Sequence, residues 1–336
     1  MGNYFPLILL LISVFAVITS AKTIRLPSEH KLKLSPGCPA PDFSLNDRPV
    51  IGIVSHPGDG ASGSISNATG VSYIAASNVK FVESAGARVI PLIYNEPKET
   101  LLEKLELVNG IVFPGGSFEK GEYLERLDEI LGIVLENNEA GDNFPLLAIN
   151  LGFQLLTIIV SQDNVNIEKF SASNQASTLQ LVEGLNVEGT LFQKFPHELL
   201  EKLSEDCLVM QNHKWGISPE SFQADRNLRD FFNVLTTSVD KDNKVYVSTI
   251  QAKKFPIVGV QWAPERNAFE WSLSEIPHTE DAILVSQSVA NYFVGEARKS
   301  ITEPDDEDVR RYLIYNYNTS YSGKDGSGYI EVYIFS

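Results

Sequence analysis

Short runs of β-branched residues alternate with amphipathic segments through the first half of the chain, and this alternation restricts the fold more than any other feature. Each run is followed by a segment with a helical period of apolar residues. The pairs are 50–54 with 73–84, 88–93 with 98–107, 110–113 with 123–135, and 144–149 with 153–161. Alternating strands and helices are typical of a parallel sheet covered on both faces. We therefore expect an α/β fold, a three-layer sandwich with a mostly parallel central sheet flanked by helices.

The second half of the chain is richer in predicted strands. Strand patterns cover 207–210, 234–239, 244–249 and 257–262, and a long helical pattern covers 279–296. With 336 residues, 43% of them hydrophobic, the chain can bury one large core. We expect one main domain over 48–299, preceded by an extended Pro-rich lead-in over 22–47. An acidic and then Tyr/Gly-rich extension over 300–336 is expected to form a hairpin or to dock on the domain.

The first 21 residues have the properties of a signal peptide. They carry no charged side chain, are apolar from Leu7 to Val17, and end in Thr19-Ser20-Ala21. No stretch of the chain reaches the roughly 20 apolar residues of a membrane-spanning helix, so no membrane span is expected. Sequons at Asn67 and Asn318 predict glycosylation. The sequence thus predicts the secretory pathway, ending in the vacuole or the extracellular space.

The charge and cysteine content exclude several classes of function. Lys and Arg number 27 against 43 Asp and Glu, so the net charge is -16, which repels nucleic acid phosphates. The two cysteines, Cys38 and Cys207, are far apart, and no Cys/His group has zinc-ligand spacing. We expect no nucleic acid partner, no metal site and no cofactor, and whether the cysteines pair stays open.

Three predicted strand ends carry residues suited to a binding or catalytic site. In open α/β sheets, ligands bind at the carboxyl ends of the strands. The first turn contains Gly115 and Gly116, whose N–H groups can face an oxyanion or a carboxylate; a plain tight turn explains the glycines equally well. The second places Asn150 between a strand and a helix, and the third ends at Glu265 after a Pro turn.

Asn150 stands where a nucleophile elbow would place its reactive side chain. An elbow residue adopts a strained backbone, often with positive φ, and Asn tolerates that conformation better than most residues. A carboxamide, however, is neither ionisable near neutral pH nor nucleophilic as a thiolate is. The residue suits the backbone of an elbow but cannot form a covalent intermediate.

Several motifs together resemble one enzyme family. They are Tyr73-Ile74-Ala75-Ala76-Ser77, the run from Val79 to Arg88, Phe113-Pro114-Gly115-Gly116, Leu151-Gly152-Phe153-Gln154, His213-Lys214-Trp215 and Gly259-Val260-Gln261-Trp262. These segments resemble γ-glutamyl hydrolases, above all plant members. The resemblance implies a class I glutamine-amidotransferase-like cysteine hydrolase that trims polyglutamate from folates and forms dimers.

The resemblance also shows two departures at the positions that matter most. The family's nucleophile stands in Gly-x-Cys-x-Gly and its catalytic His in Gln-Trp-His-Pro-Glu; the matching positions here hold Asn150 and Ala263. The acidic position is retained as Glu265. An orienting carboxylate has no task without an imidazole. We therefore expect little or no cysteine peptidase activity.

A region that the family uses to receive a glutamyl group is still recognisable. The resemblance implies ligand binding by Gly115, Gly116, Leu151, His213, Lys214 and Trp215. These residues are explained equally well if they only maintain the fold.

Three functions follow. The first expectation is a non-catalytic protein that binds a glutamyl-containing or other small ligand or a protein, as a homodimer or a heterodimer with an active paralogue. The second is a repurposed enzyme that performs non-covalent acid/base chemistry on another metabolite with Glu265, His213 and Asn150. The third and least favoured function is ordinary hydrolysis of folate polyglutamates.

Overall fold

An eight-stranded sheet forms the centre of the molecule. The computed structural model describes residues 42, 44–60, 70–117, 121–323 and 328–336, and Ser44–Ser336 is one compact unit. The predicted signal peptide 1–21, Cys38 and Asn67 lie outside the described residues, as does almost all of the lead-in before Ser44.

The sheet has a parallel half and an antiparallel half. Its strands, in spatial order, are β4 (Arg88–Leu92), β1 (Val50–Val54), β5 (Ile111–Phe113), β6 (Leu146–Ile149), β12 (Ile257–Val260), β11 (Val245–Ala252), β10 (Phe232–Val239) and β8 (Gln180–Leu181). The first five are parallel, and the last three continue the sheet with antiparallel pairing. The carboxyl ends of β5, β6 and β12 therefore lie next to one another at one edge.

Helices cover both faces of this sheet. They are α1 (Ala76–Glu83), α2 (Lys98–Leu105), α3 (Glu122–Glu139), α4 (Leu151–Ser161), α5 (His197–Glu205), α6 (Pro219–Ala224), α7 (Arg226–Phe231), α8 (Glu280–Ala297) and α9 (Asp306–Tyr312). Successive residues of a strand point to opposite faces, so Ile51 and Ile53 join the core under α1, α5 and α8, whereas Val50 and Val54 join the core under the other helices.

Two smaller sheets flank the site edge. Strands β7 (Glu168–Ser177) and β9 (Val209–Gly216) form an antiparallel pair with two register shifts. The other sheet has the order β13 (Thr319–Tyr321), β14 (Glu331–Phe335), β3 (Ser72–Ala75) and β2 (His56–Pro57). The C-terminal extension thus pairs with a strand near the start of the domain.

The expected fold class is confirmed: the chain is an α/β three-layer sandwich with a mostly parallel central sheet. One predicted helix is too long: the predicted segment 73–84 includes 73–75, which lie in strand β3, and the helix begins at Ala76. Within the described residues, no helix has the length and apolar character needed to cross a membrane.

Candidate active site

A strained turn between β6 and α4 marks the site. Asn150 has φ 51° and ψ -102°, and it directly precedes the first helical residue, Leu151. A residue other than Gly in such a conformation costs on the order of 1–3 kcal/mol and persists only where the surroundings enforce it. This sharp turn confirms the elbow geometry and directs the Asn150 side chain away from the sheet edge into a cleft.

The elbow is enforced by close packing of its backbone. The Asn150 N–H donates to the carbonyl of Val260 at 2.7 Å, and the Gly152 N–H donates to the carbonyl of Pro114 at 3.2 Å. A Cβ at Gly152 would lie only 2.2 Å from the Phe113 carbonyl oxygen, so only glycine permits this approach. These contacts bring the three predicted turns together.

The cleft has a volume of about 210 Å³ and is open to solvent on one side. Its lining residues are Gly115, Gly116, Asn150, Asn212, Ala263, Glu265, Arg266, Leu273, Gly328 and Tyr329. The structure therefore brings together five residues that the sequence singled out, from the turns that follow β5, β6 and β12. Ala263 contributes only a methyl group to this lining.

The Asn150 carboxamide is held by backbone acceptors. Its Nδ2 donates to the carbonyl of Gln261 at 3.1 Å and more weakly to that of Asn212 at 3.4 Å. The N–H of the next residue, Leu151, opens α4 and has no acceptor within the helix. Together with the positive end of the helix dipole, this N–H provides a favourable environment for an oxyanion at the elbow.

His56 supports the glycine turn from behind. A Cβ at Gly116 would lie 2.3 Å from the His56 ring, so the turn packs directly on the imidazole. The two ring nitrogens lie 2.6 Å from the Pro57 carbonyl oxygen and 2.8 Å from the Ser117 carbonyl oxygen. Burial lowers the pKa of His56, whereas its contacts with the Ser117 and Pro57 carbonyls raise it, and these two contacts hold the ring against the turn.

Glu265 is the titratable group of the cleft. It is only 1% exposed, and burial raises its pKa to about 7, although the neighbouring Arg266 guanidinium opposes that rise. Arg266 Nε lies 3.7 Å from Glu265 Oε1. The second oxygen, Oε2, has no hydrogen-bond partner among the described residues. Oε2 is itself buried, and a carboxyl group with a pKa near neutrality can exchange a proton with a ligand that reaches it.

The structure separates the predicted His213-Lys214-Trp215 motif from the cleft lining. His213 is buried in β9, its ring packs against Tyr246 at 4.7 Å, and burial lowers its pKa to about 4. Lys214 and Trp215 are exposed. Leu151 is buried at the elbow. The ligand-binding role of these four residues stays a prediction.

Sequence reasoning missed half of the cleft. Arg266 adjoins Glu265 in sequence, so its charge next to a candidate carboxylate was the available signal. Asn212, Leu273, Gly328 and Tyr329 reach the cleft from distant segments and carry no local signal. No cluster of three or more potential metal ligands occurs in the part of the chain that the structure describes.

Comparison with known proteins places the chain in a family. Residues 49–265 match the family model of peptidase C26. Gamma-glutamyl hydrolase 2 of Arabidopsis thaliana is 56% identical over 341 residues, which cover 100% of this chain and 98% of that protein. The chain belongs to the γ-glutamyl hydrolase family.

Other members of the γ-glutamyl hydrolase family match over nearly the same length. The gamma-glutamyl hydrolase of Glycine max is 53% identical and aligned over 96% of both chains. The Homo sapiens enzyme is 33% identical over 86% of this chain and 90% of its own. A solved glutamine amidotransferase from Thermotoga maritima aligns with 66% of this chain and 77% of its own, with 15% identity and a TM-score of 0.36.

The expectation of a non-catalytic binding protein is wrong. Full-length identity of 53–56% to curated plant γ-glutamyl hydrolases points to hydrolase function. The sequence argument assumed that hydrolysis requires a thiolate at Asn150 and an imidazole at Ala263. Chemistry at the retained carboxyl group, Glu265, has to be considered instead.

Proposed function

We propose that this chain hydrolyses γ-glutamyl amide bonds in the cleft beside Asn150, with water as the nucleophile and Glu265 as the general base. The family membership supports the reaction, and the resemblance implies polyglutamylated folates as the substrate class. The observation that carries the mechanism is the buried Glu265 carboxyl group, whose pKa of about 7 and free Oε2 suit it to accept a proton near neutral pH.

A side chain is a poor candidate for the attacking group. The amide of Asn150 is not nucleophilic, and Ala263 has no functional group. Cys207, the one cysteine within the described residues, is exposed and does not line the cleft. Water is therefore the nucleophile that the geometry of the cleft favours.

The proposed step is a direct hydrolysis. The water oxygen bonds to the γ-carbonyl carbon while one of its protons passes to the Glu265 carboxylate. The carbon–nitrogen bond then breaks, and the leaving nitrogen takes that proton from Glu265. The products are a γ-carboxyl group and a free amine, and Glu265 returns to the carboxylate form.

Backbone donors stabilise the charge that develops on the carbonyl oxygen. The proposed donors are the N–H groups of Gly115 and Gly116, which line the cleft, and that of Leu151, which follows Asn150 at the helix start. A positioned general base contributes about 10²- to 10⁴-fold, and an oxyanion donor about 10²- to 10³-fold. We expect a hydrolase slower than one with an activated thiolate, because no covalent intermediate divides the barrier.

The setting that we propose follows from the same relatives and sequence features. The chain enters the secretory pathway, acts in the vacuole or outside the cell, and forms a dimer. Asn318, an exposed residue next to β13, is a candidate glycosylation site. A mobility shift after removal of N-glycans, lost in Asn318→Gln, tests that part.

Glutamate release from a pteroylpolyglutamate tests the proposal. The purified wild-type chain is expected to release glutamate, whereas Glu265→Gln is expected to lose at least about 100-fold, the contribution of a general base. Glu275→Gln is the matched control, since Glu275 is exposed and does not line the cleft. Absence of release by the wild-type chain, or equal rates in the wild type and Glu265→Gln, contradicts the proposal.

A further inference from the structure

The C-terminal segment contributes one wall of the cleft. Gly328 and Tyr329 line the cleft, although they lie more than 60 residues beyond Glu265 in the sequence. Tyr329 is only 3% exposed, so its ring is part of the interior rather than a surface contact. A segment that the sequence places outside the main domain therefore reaches the candidate general base.

Hydrogen bonds and strand pairing hold the segment in place on both sides of Tyr329. The Ile330 N–H donates to Glu270 Oε2 at 2.9 Å, and the Ser272 hydroxyl donates to the Gly328 carbonyl at 2.7 Å. Immediately afterwards, β14 pairs with β3 in the register Val332↔Ala75. These contacts fix the backbone on both sides of Tyr329, so the position of its ring is set by the fold.

The Arg266 guanidinium lies over the face of the Tyr329 ring. The centre of the Arg266 guanidinium lies 4.7 Å from the centroid of the ring, within the range of a cation–π contact. Arg266 is 7% exposed, and its Nη1 has no hydrogen-bond partner among the described residues. Its Nε lies 3.7 Å from Glu265 Oε1. Tyr329 also forms a side-chain hydrogen bond with Arg266, so its ring face and its hydroxyl group both contact the cation that lies beside the general base.

We propose that Tyr329 is a positioning residue of the hydrolytic site: its ring holds the Arg266 guanidinium against the Glu265 carboxyl group. A side chain of the C-terminal segment thereby controls how readily Glu265 takes up a proton. The proposal rests on the function proposed for Glu265 in the preceding section. In this proposal Tyr329 acts through Arg266 and takes no part in the proton transfer itself.

The charged neighbours of Glu265 decide the direction of the effect. Arg266 favours the carboxylate, whereas the nearby Glu270 favours the protonated acid. Tyr73 and Tyr123 are neighbours of Tyr329, and they are neutral because burial raises the pKa of each well above its usual value. Lys80 lowers the pKa of Glu270. Without the ring, Arg266 loses its fixed position and stabilises the carboxylate less. The pKa of Glu265 should then rise.

Tyr329→Leu and Tyr329→Phe form a matched pair of variants. Leucine keeps the site apolar but removes the ring face, whereas phenylalanine keeps the ring face and removes only the hydroxyl group. Tyr329→Met is the substitute if the leucine variant does not fold, because methionine adapts to irregular gaps. Tyr321→Leu controls for changes elsewhere in the hairpin, since Tyr321 is 61% exposed on β13.

The titration of Glu265 is read out in two ways. The pH at which the rate of glutamate release reaches half of its plateau reports the pKa of the general base during turnover. The infrared carboxyl band that disappears in Glu265→Gln reports the same proton without any turnover, so the inference can be tested even if the chain proves inactive. We expect both midpoints to move about one pH unit higher in Tyr329→Leu, to move clearly less in Tyr329→Phe, which keeps the ring face but loses the hydrogen bond to Arg266, and to stay at the wild-type value in Tyr321→Leu.

The outcomes separate this inference from the proposed function. A shifted band without glutamate release supports the role of Tyr329 and contradicts the hydrolase. Unchanged midpoints in both the leucine and methionine variants overturn the role of Tyr329, even if these variants are less stable or slower. An equal shift in the phenylalanine variant also overturns it, because the hydroxyl group and not the ring would then be responsible.

Discussion

Glu265 and Asn150 occupy positions that are unfavourable for their residue types. Burial of a carboxyl group without full hydrogen bonding costs free energy, and so does a positive φ at Asn150. Both residues line one cleft. Strained backbone and perturbed titration at the same place are more typical of a functional site than of a structural one.

The burial of Glu265 should be visible in the stability of the protein. Its pKa is raised from 4.5 to about 7 in the folded state, so folded protein holds a proton that unfolded protein releases between these values. Stability from this group is therefore fully present below about pH 4.5 and is lost as the pH rises through about 7. The cost of the charged form above that pH is roughly 3 kcal/mol.

Glu265→Gln should therefore stabilise the protein at alkaline pH. Glutamine avoids a buried charge, so we expect the free energy of unfolding to increase by up to roughly 3 kcal/mol at about pH 8, with little change at about pH 4. Urea denaturation at both pH values measures the difference, and Glu275→Gln should show neither effect. Equal stability of wild type and Glu265→Gln at alkaline pH would show that Glu265 is not buried as an acid of raised pKa.

A double substitution at the other two cleft positions tests whether the elbow still presents its side chain correctly. In Asn150→Cys combined with Ala263→His, a thiol and an imidazole occupy the turns next to Glu265. We expect faster glutamate release than in the wild type, because a thiolate provides a covalent route, and inhibition by iodoacetamide. Either single variant is the control. An unchanged rate would mean that the cleft no longer aligns a γ-glutamyl bond with the elbow.

At the scale of elements, the site exists because α4 packs closely on β5. Gly152, in the first turn of α4, lies against the carbonyl of Phe113 at the end of β5. This contact lets the turns after β5 and β6 share one cleft. A side chain at this position would separate the two elements.

Gly152→Ala is expected to destabilise the fold and to slow hydrolysis. The added Cβ would lie 2.2 Å from a backbone oxygen that cannot move aside, and overpacking of this kind costs about 1–3 kcal/mol or more. Gly132→Ala in α3 is the control: nothing lies within 4 Å of its Cβ, and alanine there should stabilise the helix by about 0.4–1 kcal/mol. Thermal unfolding measures both; a Gly152→Ala protein as stable as wild type would contradict the close packing.

Local periodicity predicted the parallel strands and missed elements whose partners are remote. The pattern at 50–54 coincides with β1, because a strand buried on both faces needs a continuous apolar run. Residues 73–75 were assigned to a helix, since the pairing of β3 with β14 cannot be read from nearby residues. Strand β7 was not predicted, because its residues are mostly polar and half-buried and its pairing with β9 is irregular in register.

At the site, too, local patterns identified nearby residues and missed those that come from remote segments. Gly115, Gly116, Asn150 and Glu265 were identified because turns at strand ends have recognisable residues and meet at one sheet edge, and Ala263 was identified through the family resemblance. Tyr329 could not be identified from a local motif, because β14 brings it to the cleft by pairing with a strand more than 250 residues earlier.

At the scale of the whole molecule, one parallel sheet and a returning C-terminal strand assemble the cleft. The central sheet provides the three turns. The segment that leads into β14 of the sheet β13-β14-β3-β2 adds Gly328 and Tyr329 to the cleft lining. The family relationship extends over the entire length of the chain. The hydrolysis by water that we propose at Glu265 is consistent with the retained architecture and with Asn150, a residue without a nucleophilic side chain, at the elbow.

The most direct test of this account is glutamate release from a pteroylpolyglutamate by iodoacetamide-treated protein, measured across the neutral pH range. The account predicts that release survives alkylation, rises with pH with a midpoint of about 7, and is lost in Glu265→Gln. No release, or release that alkylation abolishes, would contradict it.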